Sequence, residues 1–254
     1  MSGWSYPYSS GVRVTEAAMK IVVGLSPGEL KPLRCHTAAE RAFISIPGVV
    51  NHVNCDIEDQ NIREVFCRVR KGDELTFPTN NVEKCGSVIA VDPDRERAVA
   101  LAAEACRSVF IRLEPFAEST REFLFGSAYD WAPAAFTLSV PGNREACAAM
   151  PPAWGNLLDA VTAGSVIALP ELDAEPSTDW HGEGISKAFE RVLSITGFQA
   201  VPFCRRESDV PAVGRIFWKA FLRGGVQGGV WVLDSLIRLA ADRDKRAEVL
   251  QWLG

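Results

Sequence analysis

Histidine, methionine and tyrosine each occur only three times in these 254 residues. So few histidines leave little material for imidazole-based metal binding or proton transfer. No apolar run approaches the roughly 18–20 residues of a membrane-spanning helix. The opening Met-Ser-Gly-Trp-Ser-Tyr-Pro-Tyr-Ser-Ser lacks the basic and then apolar stretch of a secretory signal. Excess positive charge is missing too: 27 Lys and Arg stand against 32 Asp and Glu, a net charge of −5. That balance has no general attraction for phosphate backbones or anionic lipid, so neither nucleic acid nor membrane is an expected partner. The cysteines (Cys35, Cys55, Cys67, Cys85, Cys106, Cys147 and Cys204) are odd in number and show no Cys-x-x-Cys spacing. Reduced thiols in a cytoplasmic protein are the expectation, rather than a disulfide framework or a zinc site.

What is present predicts an α+β fold: a small mixed or antiparallel sheet domain with packed helices over 1–116, then a mainly helical domain over 117–254. Residues 1–10 read as an extended loop. A helix capped by Thr15 follows, with Ala18, Met19, Val22 and Val23 at one-face spacing, and it stops at Gly24. Arg41 to Ile46 reads as a strand halted by Pro47-Gly48. Arg63–Arg70 and Glu74–Phe77 read as a hairpin turning at Lys71-Gly72-Asp73. Ser87–Val91 is a strand, followed by a helix with Asp92 as cap, Pro93 in its first position and Ala98, Leu101, Ala102, Ala105 and Val109 on one face. Val109–Leu113 returns as a strand.

The second half promises a short helix from Asn143, another over Trp154–Val161, a buried segment Val166–Leu169 and a polar loop over 170–184. Three amphipathic helices close the chain. They are marked by Ile185, Ala188, Phe189, Val192 and Leu193, by Val213, Ile216, Phe217, Ala220 and Phe221, and by Val230, Leu233, Ile237 and Ala240.

Three stretches of the first half, in this order, resemble the C-terminal region of ATP-grasp ligases of the carbamoyl-phosphate synthase and biotin carboxylase kind. They are Arg41-Ala-Phe-Ile-Ser-Ile-Pro-Gly48, Val69-Arg-Lys-Gly-Asp73, and Cys85-Gly-Ser-Val-Ile-Ala-Val-Asp-Pro-Asp94 with the Ala-rich helix and Val109–Leu113 after it. Ser2-Gly3-Trp4 with Gly11-Val12 and Gly24 resembles the stretch that follows the family's acidic loop. The resemblance implies a ligase that activates a carboxylate as an acyl phosphate and lets an amine displace the phosphate. ATP and Mg2+ are implied for the intact enzyme. The lysines that hold ATP and the acidic-x-Asn loop that holds metal lie upstream in the family. This chain is therefore expected to carry no cofactor and to be inactive alone. The implied partners are an ATP-binding lobe, in the same chain or in another subunit, and a small carboxylate. A homo-oligomer is a further candidate assembly.

Two strings invite a site. Ser2, Gly3, Trp4, Tyr6 and Tyr8 would line the substrate pocket of the ligase or simply pack as a surface loop, and both readings stay open. Asp179, His181, Gly182, Glu183 and Gly184 lead into the helix at Ile185, where free amides and a titratable His would suit a carboxylate or phosphate. A surface loop with an N-cap and a packed Trp180 is the preferred alternative. His52, Cys55 and Asp56 have no second ligand pair at a matching spacing and read as structural, as do Cys35 and His36. Gly224-Gly225-Val226-Gln227-Gly228-Gly229 follows a helix and lacks Lys-Ser or Lys-Thr, so a helix–helix corner is expected rather than a phosphate cradle.

The rival to the ligase reading is a non-catalytic assembly module that docks a partner through the last helices. The ligase reading predicts a deep pocket near Ser2 to Ser10, open toward a missing lobe, with a large apolar face exposed there. The module reading predicts an exposed apolar patch on the last three helices instead. A stand-alone hydrolase is the weakest reading, because none of the three histidines sits beside a credible partner.

Overall fold

The computed structural model describes residues 3–149, 166–169, 172, 175–202 and 214–241. The expected helix over 154–161 and the Ser2 position lie outside them. The fold is mixed α+β, as the patterning predicts, with small antiparallel sheets and a helical C-terminal region. The chain divides into two interleaved compact units. One comprises residues 1–44, 53–70 and 78–110, and the other 45–52, 71–77 and 111–254.

The first unit is built on an antiparallel sheet in the order β1 (Thr37–Phe43), β5 (Gly86–Asp92), β3 (Ile62–Cys67). Every residue of β5 is buried, as its near-continuous apolar run requires of a central strand covered on both faces. Helices α1 (Ser5–Ser10) and α3 (Arg95–Ser108) both pack on β1 and β5. The small side chains Ala98, Ala102, Ala105 and Cys106 form the buried stripe of α3, and Cys106 Sγ lies 3.1 Å from the Ala42 carbonyl. Gly86 has no room for a side chain, since a Cβ would come within 2.1 Å of the Phe66 carbonyl oxygen.

Local expectations change here in three places. Residues 5–10 are helical rather than extended, because Pro7 falls in the first turn, where its missing N–H costs nothing, and Gly11 closes the helix at φ +79°. Helix α2 begins at Val14 rather than after a Thr15 cap, and runs to Val22. The cap of α3 is Asp94, whose side chain accepts from Arg97 N at 2.7 Å, while Asp92 ends β5 and accepts from Asp94 N.

The second unit contains the sheet β4 (Glu74–Leu75), β2 (Gly48–Asn54), β6 (Phe110–Leu113). The expected hairpin of residues 63–70 with 74–77 does not form. Instead β3 pairs with β5, and β4 pairs with β2. The turn at Lys71–Asp73 is held to β2 by its own amides: Gly72 N donates to the Val50 carbonyl and Val50 N to the Asp73 carbonyl. Helix α4 (Glu118–Phe125) takes up the apolar group around Phe123, and α5 (Pro141–Ala149) follows. Strands β7 (Val166–Leu169) and β8 (Gln199–Pro202) pair in parallel.

Helix α6 (Ile185–Thr196) ends at Gly197 in the left-handed conformation and packs on α7 (Arg215–Ala241). Their contact is aromatic: Phe189 stacks on Trp218 with centroids 5.3 Å apart, beside Phe217 and Phe221. Helix α7 bends at Gly225 (φ 59°, ψ −147°), which is the corner expected of the glycine string. The bend exposes carbonyls at the end of the first arm, and these are satisfied by Ala135 N and Phe136 N, which donate to Arg223 and Leu222. The Arg223 guanidinium donates to the carbonyls of Phe123, Tyr129 and Ala132 and lies 4.5 Å from the Phe123 ring centre.

Beyond the bend, one face of α7 grips β6 and its neighbours at helical spacing. Gln227 donates to Ser45 Oγ and to the Ile111 carbonyl, and accepts from Ile46 N. Trp231 donates to the Glu114 carbonyl, Asp234 takes a bidentate pair from Arg112, and Arg238 reaches Glu114 at 3.8 Å.

The corner requires close approach. A Cβ on Gly228 would stand 2.2 Å from the Ala220 carbonyl oxygen, a backbone atom that cannot swing aside. Gly228→Ala is therefore expected to cost about 2 kcal/mol or more of unfolding free energy, whereas Gly142→Ala, with open space around its Cβ, should stay near neutral in the same urea titration.

Candidate functional site

In the first unit the N-terminal string is anchored rather than loose. The Tyr8 hydroxyl donates to Glu64 on β3, and that hydrogen bond, with burial and the Glu64 charge, holds the phenol above its usual range. Trp4 meets Phe66 edge to face at 5.4 Å, while Tyr6 is half exposed. Gly3 precedes α1 with open space around it.

Beside α1 lies an open recess of about 410 Å³, lined by Pro7, Tyr8, Gly11, Arg13, Leu33 and Arg34. A second, of about 280 Å³, adjoins it and shares Gly11, Arg13 and Leu33. Sequence reasoning passed over Arg13, Leu33 and Arg34 because they belong to no motif. Only the left-handed glycine at 11, needed for Leu33 to approach, hints that the two segments meet.

The same unit carries a segment rich in exposed apolar side chains. Met19, Ile21, Val22, Val23, Leu25, Leu30 and Leu33 all lie open, Val22 at 79% and Leu33 at 82% of full exposure. The one-face stripe expected to bury α2 instead points mostly to solvent, with Ala17 the buried member of the helix.

In the second unit the Asp179–Gly184 loop folds back on itself. Asp179 Oδ1 accepts from His181 N at 2.9 Å and Glu183 N at 2.8 Å, and Asp179 N donates to the Glu183 carbonyl. Gly182 adopts φ +75°, and Gly184 is the N-cap of α6 without a side-chain cap. Glu183 pairs with Arg191 at 3.3 Å. Two of the amides that could meet an anion are thus already taken by a carboxylate of the same loop. Trp180 packs against Phe77 and Phe123.

A comparable arrangement stands at the start of α5. Glu175 accepts from Ser139 N, Ser139 Oγ, Val140 N and Asn143 Nδ2. Burial tends to raise this carboxyl, but the four donors outweigh it and hold the group below its ordinary value of 4.5.

Among the described residues, no three His, Cys, Asp or Glu side chains converge as a metal ion would require. Residues 52, 55 and 56 fall at the end of β2 and just after it, with His52 exposed. Cys35 and His36 precede β1. Burial pushes the Cys55 thiol up to about 12, with Cys67, Asp56 and Cys85 adding to the shift, and burial takes Cys147 to about 11. No described helix is long and apolar enough to cross a membrane.

Residues 42–114 match the family described as L-amino acid ligase C-terminal domain 2. This stretch is an ATP-grasp ligase-like region. It runs from the end of β1 through β6, and so takes in, apart from Arg41, the three stretches in which the sequence resembles that superfamily. A solved structure, phosphoribosylglycinamide synthetase from Anaerococcus prevotii, is similar at 14% identity and a TM-score of 0.40. That similarity covers 44% of this chain, which spans 31% of the synthetase's length. No curated protein matches the sequence.

Two measurements check this geometry. Alkylation at neutral pH should label exposed Cys35 and Cys67 first and leave Cys55, Cys85, Cys106 and Cys147 slow in the folded protein; equal rates for Cys55 and Cys35 would contradict the burial. Because the Glu175 carboxyl is lowered on folding, its contribution is present above the unfolded value and is lost as pH falls through the folded one. Glu175→Gln should therefore flatten the fall in stability between about pH 5 and pH 3, seen as a smaller change in thermal midpoint across that interval.

Proposed function

We propose that this chain is the closing portion of an ATP-dependent carboxylate–amine ligase, that it shapes the substrate site, and that it is inactive alone. The observation that carries the reading is the apolar face of α2 and the segment to Leu33. Seven large aliphatic side chains lie open within these fifteen residues, and exposed apolar side chains gathered in one segment mark interaction surfaces. An ATP-binding lobe is the partner we assign to that face. The cytoplasm, where ATP and reduced thiols are found, is the compartment the reading requires.

In this reading the metal and the nucleotide are held by the lobe, as the family resemblance implies. The contribution of the chain is then to bound the carboxylate and amine substrates and exclude water from the acyl phosphate. In such a ligase the carboxylate takes the terminal phosphoryl group of ATP, releasing ADP. The amine then adds to the acyl carbon and phosphate leaves, giving an amide.

The assembly-module alternative calls for an exposed apolar patch on the last helices. Among the described large apolar side chains of α6 and α7, only Ile237, at 41%, is prominently exposed. The other described ones are buried or half-buried, which favours the ligase reading.

The purified chain supplied with ATP, magnesium, a carboxylate and an amine should release no phosphate above background. Activity should appear on adding an ATP-grasp lobe encoded in the same frame or beside it. Amide formation by the chain alone would end the claim of inactivity. Val22→Asp should leave the thermal midpoint of the chain within about 2 °C, as for other exposed substitutions, while abolishing lobe binding in a pull-down of the two purified parts. Unaltered binding by that variant would remove the face from the proposal.

A further inference from the structure

We propose that the recess beside helix α1 binds a small oxyanion, a carboxylate or a phosphate, held between Arg13 and Arg34. In a protein of net charge −5, the only charged groups lining this concavity of about 410 Å³ are two guanidiniums. A recess lined by one sign of charge concentrates the opposite sign. Planar guanidinium donors match the paired oxygens of carboxylate and phosphate. The volume falls within the range of small-molecule sites.

The walls are built rather than incidental. Leu33 N and Arg34 N both donate to the Ser10 carbonyl, at 2.8 and 3.3 Å, and His36 N donates to that of Ser9 at 2.9 Å. These bonds fasten the second wall to the end of α1. Gly11, left-handed at φ +79°, lets Leu33 close in, since a Cβ there would lie 3.1 Å from Leu33 Cβ. Arg34 Nη2 donates to the Pro7 carbonyl at 3.1 Å, which orients the guanidinium and uses one of its five donors. Arg13 has Glu16 on the neighbouring turn at 3.7 Å, a loose contact that an incoming anion can displace. Leu33 and Pro7 supply apolar surface for the body of a ligand. The recess therefore suits an acid with a short apolar group better than a bare ion.

This site goes beyond the ligase reading and is complete within one unit, though it shares Leu33 with the face assigned to the lobe. Residues 7–34 also lie outside the stretch that matches the ligase family. The test is calorimetric titration of the whole chain with inorganic phosphate, phenyl phosphate and benzoate. At least one should bind saturably with a millimolar or smaller dissociation constant. Preference for the phosphates or for benzoate identifies which acid the site takes. Arg13→Gln should weaken binding fivefold or more, and Gly11→Ala should weaken it by distorting the wall. Arg95→Gln, an exposed arginine on α3, should leave it unchanged. If no probe saturates, or if Arg13→Gln and Arg95→Gln weaken binding alike, the site does not exist. The ligase reading would survive that result, and an active chain without a lobe would leave this site intact.

Discussion

The side-chain amide of Gln227 meets Ser45, Ile46 and Ile111 at once, using both its donors and its acceptor. An amide satisfied in this way in a half-buried setting has one geometry only, because losing any partner leaves a polar group unpaired at roughly 1–3 kcal/mol. Trp231, Asp234 and Arg238 extend the same face of α7 along β6 and Glu114. The register of the helix on the sheet is set by these contacts rather than by apolar packing, which tolerates sliding far better. The bend at Gly225 exists so that this arm can meet the sheet while the first arm keeps its aromatic contact with α6. Gly228 and Gly229 exist so that the arms can fold closely together.

Polar groups elsewhere in the second unit follow the same economy. Loops that look like anion sites in sequence hold a carboxylate of their own: Asp179 closes the turn before α6, and Glu175 closes the start of α5. Arg223 donates to three backbone carbonyls at the corner. Unused polar capacity lies instead in the first unit, around Arg13 and Arg34. There too the apolar surface of α2 is open. Exposed aliphatic side chains and guanidiniums with spare donors thus occur together over residues 13–34, and both functional proposals rest there.

The ATP-grasp likeness was legible because its signals are local and ordered. A Pro-Gly stop, a Gly-Asp turn, an apolar strand, an acidic cap and an alanine helix each follow from short-range chemistry, and their succession survives even where strand partners are misjudged. The pairing itself was not legible. Lys71-Gly72-Asp73 is a sound turn signal, yet a turn does not state which strands it serves. Here its amides bind β2, drawing β4 into the second sheet while β3 joins the first. The N-terminal helix was missed because Pro7 argues against helix everywhere except in the first turn. Arg13 and Arg34 were missed because residues 21 apart in sequence carry no mark of facing one another.

By itself, then, the sequence determined the α+β class, a strand over Ser87–Val91, the alanine face of α3 and the corner at the glycine string. Each depends on periodicity or on one residue's backbone preference, which neighbouring positions report. Only the tertiary structure decided that the stripe of α2 faces outward, that Asp179 and Glu175 occupy their own loops, and that two arginines line one recess. Those outcomes depend on which distant groups satisfy one another first, and hydrogen bonds between residues far apart in the chain leave no periodic trace.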